Sequence, residues 1–234
     1  SINRPNKALM YIWDEPKEED YPSVETLGKL VKKYAPSLKV LLTEPYTKVL
    51  DPYVDIWVPV MDEFGGTFAG TPEYDKLKKE GKQIWWYISC LSHGCDYLSD
   101  SGTPDFVIDR QSGYIRTIPW ITIKSHVQGF LYYDSTYAYG HYPRRDPWSS
   151  LWDFSGNGDG TLLYPGRKGE RGLGEDKPIP SIRLKVWREA SFDAEYVKWM
   201  ENLTKKPDWW TKEFNTIVQN PKKWDRRYES YQAL

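Results

Sequence analysis

Two neighbouring carboxylates, Asp14 and Glu15, end the apolar run Tyr11-Ile12-Trp13 and are followed at once by Pro16. Ile, Tyr and Trp suit a buried strand whereas acidic residues do not, so the pair marks a strand's C-terminal end. Pro16 then stops the ladder. Alternation along a strand sends adjacent side chains to opposite faces, and only at a strand end can both serve one pocket. Two carboxylates that flank a glycosidic bond stand roughly 5 to 10 Å apart, a span bridged from separate strands. Neighbours in sequence fit another division of labour. One acid protonates a leaving group while the other steadies a nucleophile that belongs to the substrate. The competing reading is that the pair merely opens a charged loop, because Lys17, Glu18, Glu19 and Asp20 follow.

Other side chains with chemical potential are more scattered. Glu44, Asp55, Asp62, Glu63 and Asp134 border apolar runs, and each could be a second carboxylate or a hydroxyl-binding residue. Asp134 stands out because it closes a strand. His93, His126 and His141 lack metal-ligand spacing. Asp153, Asn157 and Asp159 resemble part of a calcium loop, but the glutamate that completes an EF-hand is missing. Ser89 and Ser92 have no Gly-x-Ser-x-Gly elbow, which argues against serine hydrolysis. Cys90 and Cys95 are the two cysteines; a bridge between them is compatible with the sequence and nothing in the sequence requires it. No metal and no cofactor are expected.

The elements that must position these groups follow from periodicity. Val24, Leu27, Leu30, Val31 and Tyr34 recur at helical spacing up to Pro36. Lys39-Val40-Leu41-Leu42-Thr43 is a second strand that again ends in an acid and a proline, Glu44-Pro45. Residues 55–60 form a third strand, with Pro59 near its end. Thr71-Pro72 starts a helix that Gly81 closes. Residues 83–89 are apolar at nearly every position, as in a strand covered on both faces. The aromatics there, Trp85, Trp86 and Tyr87, read as core, the last one or two emerging at a pocket rim. A long loop is expected over residues 90–113 and a helix over 114–127 interrupted at Pro119. Residues 130–134 make a fifth strand ending in Asp134. Residues 135–178 form a large Gly-, Pro- and aromatic-rich loop excursion. Ser181 caps a helix to about residue 203, with Ile182, Val186, Ala190, Tyr196, Val197 and Met200 on its apolar face. Two short amphipathic helices are expected in residues 209–234.

Strands alternating with helices or crossovers argue for βα units in a parallel sheet. A doubly wound sheet and a segment of a (β/α)8 barrel both fit. No Gly-rich phosphate loop follows the first strand, and acids that recur where strands end favour the barrel, whose strand C-termini carry the chemistry. Lys plus Arg number 32 against 33 for Asp plus Glu, so no global field draws nucleic acid or an anionic membrane surface. The 12 Trp and 18 Tyr suit either a bulky core or a sugar-stacking surface, and composition does not separate the two. No stretch approaches the ~20 apolar residues of a membrane span, and the N-terminus lacks a signal-peptide pattern.

Several stretches together resemble the catalytic domain of glycoside hydrolase family 123, the domain-of-unknown-function 4091 group. They are YIWDEP at 11–16, APSLKVLLT at 35–43, VDIWVPV at 54–60, IWWYISC at 84–90, RTIPW at 116–120, GFLYYDSTY at 129–137, GDGTLLYPG at 158–166 and PSIRL at 180–184. The resemblance implies a retaining β-N-acetylgalactosaminidase that uses the substrate's own 2-acetamido group as nucleophile, and hence a carbohydrate substrate carrying a 2-acetamido sugar. It implies Glu15 as general acid/base and Asp14 as the residue that orients the acetamido nitrogen. Trp86, Tyr87, Trp120, Tyr132, Tyr133 and Asp134 lie in matching segments that could line the sugar site. Tyr133 stands where many relatives are expected to have Trp. An extracellular or periplasmic compartment is implied as well.

The fold so implied is α/β of the (β/α)8 TIM-barrel type, with only the later strands, about five, and a C-terminal helical extension. The domain reading is a partial barrel over residues 1–204 and an extension over 205–234 packed on the same domain. Five strands cannot close an eight-stranded barrel. The chain is therefore expected to be a C-terminal fragment whose missing N-terminal half, or a second copy, completes the barrel. The alternative is a non-catalytic carbohydrate-binding or inactive barrel fragment.

Overall fold

A computed structural model describes residues 8–64, 72–95, 101–142, 145–146, 149–166, 168, 174 and 176–232. Five strands, β1 (Leu9–Asp14), β2 (Lys39–Thr43), β3 (Ile56–Trp57), β4 (Gln83–Tyr87) and β5 (Gly129–Leu131), form one all-parallel sheet in sequential order. Helix α1 (Tyr21–Tyr34) links β1 to β2, turns link β2 to β3, and α2 (Pro72–Lys79) leads into β4. The expected Thr71 cap of α2 lies outside the described residues. The sheet has two chemically distinct faces because side chains alternate. Ile84 and Trp86 of β4 point into the large core under the helices, whereas Trp85 and Tyr87 join Leu41, Ile56, Val58 and Leu131 on the other face. Gly129 opens β5 because the Trp85 ring occupies the space a Cβ would need, 2.3 Å away.

The third and fifth strands are shorter than the sequence suggests. Pro59 and the cis Tyr133–Asp134 bond fall just past their ends, and Val60 retains a single bridge to Tyr87. After β4 come the short α3 (Cys90–His93), α4 (Gly113–Arg116) and α5 (Ile118–Lys124). The break between α4 and α5 falls at Thr117, with Pro119 in the first turn of α5, where its missing N–H costs nothing. The expected loop over residues 135–178 contains α6 (Tyr137–His141), the hairpin β6 (Trp152–Asp153) and β7 (Gly156–Asn157), and the first strand, β8 (Leu163–Gly166), of a second hairpin completed by β9 (Lys177–Pro180).

Helix α7 (Ile182–Glu201) starts where Ser181 Oγ accepts the Leu184 N–H at 3.3 Å. Val186, Ala190, Val197 and Met200 face the core, but Ile182 and Tyr196 are 72% and 64% exposed. Their place on the buried face is taken by Arg183. Helix α8 (Asp208–Ile217) adds Trp210, Phe214 and Ile217 to the same core as the sheet. The second helical element of this region is only a 3-10 turn, Tyr228–Tyr231, and it does not follow directly. Asn220-Pro221 turns the chain instead into a hairpin, β10 (Val218–Asn220) with β11 (Lys223–Trp224), because the residue before proline is pushed away from helical geometry. No helix among the described residues is long and apolar enough to cross a membrane.

Candidate active site

Asp14 is the last residue of β1 and pairs with Thr43, the last of β2. A register shift between Tyr11 and Trp13 marks a bulge, so Tyr11 and Asp14 reach the same side despite their odd spacing. Glu15 has a left-handed backbone, φ 44°. That conformation costs a residue with a Cβ about 1–2 kcal/mol, and here it cancels the strand alternation. Both carboxylates therefore line one pocket of about 140 Å³ at the C-terminal ends of the strands. Leu91, Leu131, Tyr133 and Phe154 also line it, and among the described lining residues Asp14 and Glu15 are the carboxylates.

Each acid has its own donors. Tyr11 donates to Asp14 Oδ1, and Thr43 Oγ1 donates to the same oxygen at 2.9 Å. The Thr43 hydroxyl also accepts the Glu15 N–H at 3.1 Å and lies 2.8 Å from the Tyr11 hydroxyl. Tyr87, from β4, donates to Glu15 Oε1. Burial first, and then the neighbouring carboxylates, push both phenols well above the usual tyrosine range. Tyr11 and Tyr87 thus stay protonated at any working pH and act as fixed donors to the two acids.

A buried frame holds the rim. Asp159 accepts the Cys90 N–H at 3.0 Å, the Tyr132 hydroxyl at 2.7 Å and the Gly160 N–H at 3.1 Å. Burial pushes its carboxyl above the usual range, against the pull of those donors and of Arg183. Arg183 spends its guanidinium on three backbone carbonyls, Phe106 and Gly158 at 2.6 Å and Thr161 at 2.5 Å. The β6–β7 hairpin rests on this frame and presents Phe154, φ 52°, at its tip. Cys90 and Cys95 form a disulfide beneath the same hairpin, and a Cβ on Gly156 would approach the Cys90 sulfur to 2.5 Å.

Of the aromatic residues singled out by sequence, the structure brings Tyr87 and Tyr133 to the pocket. Trp86 is a correction: it is fully buried on the helix side of β4, and its Nε1 donates to Thr122 Oγ1 at 3.0 Å. Trp120 is a second correction. It packs against Trp210, Phe214 and Tyr231 at the floor of a larger groove of about 350 Å³, whose one carboxylate, Asp193, is tied to Arg116. That groove has more volume but no free acid, so it is not the candidate active site. Tyr132 packs against Phe106, ring centres 4.3 Å apart, and spends its hydroxyl on Asp159, outside the pocket lining. Asp134 bends back to accept the Thr136 N–H, capping a turn.

The remaining acids divide similarly. Asp55 binds Lys32 and the Val40 N–H at the opposite end of the sheet. Glu44 accepts the Tyr21 hydroxyl at 3.1 Å, and burial followed by the Glu63 and Glu15 charges raises its pKa. Asp153 is paired with Arg145, and Asn157 donates to Asp109 at 3.1 Å, so the residues suggestive of a calcium loop are already engaged. Sequence reading missed Tyr11 and Thr43 as site residues, although both sit in stretches it had marked as acid-terminated strands. It also missed Phe154, because Phe-Ser carries none of the turn signature that a tight hairpin ordinarily shows.

A comparison with curated proteins returned no match. The family model described as glycoside hydrolase 123, catalytic domain, matches residues 5–200, a span that takes in the sheet, both acids and nearly all of α7. A match over so much of the chain, taking in the whole parallel sheet and the acid pair at its first strand's end, makes this chain a member of glycoside hydrolase family 123.

Proposed function

We propose that the chain carries the catalytic centre of a retaining, β-N-acetylgalactosaminidase-like glycoside hydrolase in which the substrate's 2-acetamido group is the nucleophile. The observation that supports it is the make-up of the acid pocket. Asp14 and Glu15, neighbours in sequence, are the two carboxylates among its described lining residues, the arrangement that suits a nucleophile supplied by the substrate. Glu15 donates a proton to the glycosidic oxygen as the acetamido carbonyl oxygen attacks C1 and the bond to the aglycone breaks. Asp14 accepts the acetamido N–H and stabilises the charge of the oxazolinium-like intermediate. Glu15 then takes a proton from the water that opens the ring at C1, and configuration is retained. Tyr87 and Tyr11 hold the two acids in these roles.

The sheet is read as the later part of a (β/α)8 barrel. Sequential parallel strands with chemistry at their C-terminal ends are what that fold supplies. The outer edge of β1 is unpaired among the described strands, and Tyr11 beside it is 41% exposed. Further βα units, from a longer polypeptide or a second copy, would pair there and complete the pocket on the Tyr11 side. The Cys90–Cys95 bridge suits an extracellular or periplasmic compartment. The small pocket, about 140 Å³, favours one rival, a carbohydrate-binding but non-catalytic chain.

Glu15→Gln separates the two readings. In an enzyme it removes roughly 10²–10⁴-fold in rate on 4-nitrophenyl N-acetylhexosaminides, a loss of general-acid catalysis, and a thiazoline mimic of the cyclised sugar inhibits strongly. Unchanged turnover, or equal hydrolysis of sugars lacking the acetamido group, refutes the assignment. A binder keeps its sugar affinity in Glu15→Gln and shows no turnover to lose.

A further inference from the structure

The loop after β4 gathers three potential soft-metal ligands in six residues. The sulfurs of Cys90 and Cys95 and a ring nitrogen of His93 lie within 4.8 Å of one another, the one such His/Cys/Asp/Glu group among the described residues. His93 Nε2 sits 3.3 Å from Cys95 Sγ, a weak hydrogen-bond partner for a nitrogen on a side chain only 2% exposed. The other ring nitrogen, Nδ1, faces Asp62 Oδ2 at 3.8 Å and Ser92 Oγ at 3.4 Å. A carboxylate behind Nδ1 is the arrangement that orients a metal-bound imidazole, with the Nε2 lone pair turned to the ion.

We propose that this loop, once its disulfide is reduced, binds a thiophilic divalent cation of the Zn²⁺ class through the Cys90 and Cys95 thiolates and His93 Nε2. Disulfide and metal are alternatives at one place. An external dithiol reductant delivers two electrons and two protons to the Cys90–Cys95 bond, giving two thiols and the oxidised reductant. The cation then displaces both thiol protons as it binds. Two sulfurs and an imidazole are a donor set that soft cations select, and the fourth tetrahedral position falls to water. Either clip closes the same short loop. Leu91, which lines the acid pocket, rides on it, and Asp159 anchors it through the Cys90 N–H.

The test uses the whole chain and Co²⁺ as the probe. After dithiol treatment and removal of the reductant without air, thiol titration reads both cysteines. Co²⁺ then binds at one equivalent with a thiolate-to-cobalt charge-transfer band, and Zn²⁺ displaces it. The oxidised protein and Cys95→Ser give no band. His93→Gln, which leaves both sulfurs in place, weakens the affinity at least about tenfold. Two free thiols with a native near-ultraviolet dichroism but no band overturn the proposal. So does an unchanged affinity in His93→Gln, and so does loss of the native dichroism on reduction alone, because the site requires the folded loop.

Discussion

Thr43→Val is the most informative single change in the acid pocket. The side chain is 2% exposed, and valine matches its shape, so packing survives while the hydroxyl is lost. That hydroxyl serves Asp14 Oδ1 at 2.9 Å, Tyr11 at 2.8 Å and the Glu15 N–H at 3.1 Å. Two hydroxyl protons, from Tyr11 and Thr43, cover the three contacts among Tyr11, Thr43 and Asp14, so one contact never has a proton of its own. A hydrogen bond to a carboxylate is worth about 1.5–3 kcal/mol and a neutral one about 1 kcal/mol. Tyr11 keeps its bond to Asp14, whereas the Glu15 N–H is left without an acceptor. The expected net loss is about 2–4 kcal/mol, read by urea unfolding without any need for turnover. Displacement of the acids by about 1 Å costs up to about 10²-fold, so kcat/KM on an N-acetylhexosaminide falls about 10–100-fold. Thr43→Ser restores the hydroxyl and most of both losses. A Thr43→Val protein within 0.5 kcal/mol and threefold in kcat/KM of the parent refutes the positioning role.

Arg183→Met keeps the aliphatic stem but strands three carbonyls and the raised Asp159 carboxyl; a destabilisation of about 3–5 kcal/mol is expected in chemical denaturation, with Arg183→Lys in between. Glu44 titrates with the opposite sign from a salt-bridged acid. Its folded pKa lies above the unfolded one, so its share of stability is complete below about pH 4.3 and is lost as pH rises through the folded value. Glu44→Gln therefore gains stability over the parent as pH rises from 4 to 8, and thermal melts across that range check the sign. Trp120→Phe leaves KM for the sugar within about twofold while lowering stability by about 1–3 kcal/mol, because the ring belongs to the core beneath α8.

The strands were legible because they are apolar runs, most of them followed by acids, and the acid pair was legible because carboxylates are depleted inside strands and so mark their ends. Sequence periodicity says which residues are apolar and does not say which side of the sheet faces helices. That is why Trp86 and Tyr87, neighbours of similar character, have opposite fates: one in the helix-side core and one bonded to Glu15. Trp120 misled for the same reason, since aromatic content serves a core and a sugar platform equally. Arg183 was read past because a cation inside an amphipathic pattern is ordinarily solvent-facing, and only the fold reveals the three carbonyls that take it up. The β6–β7 hairpin has two residues in each strand, too few for any alternation to register.

With Glu15 as the proposed general acid, its left-handed backbone sets folding against chemistry at a single position. Glycine would relax it, and aspartate visits that region more readily than glutamate, but one removes the acid and the other withdraws it by a methylene. No side chain offers both ease and reach. In a library of position-15 variants sorted only for folded, well-expressed protein, glycine should outcompete the native residue, enriching molecules that are more durable and inert. On the proposed role, glutamate persists there only under a selection that scores turnover.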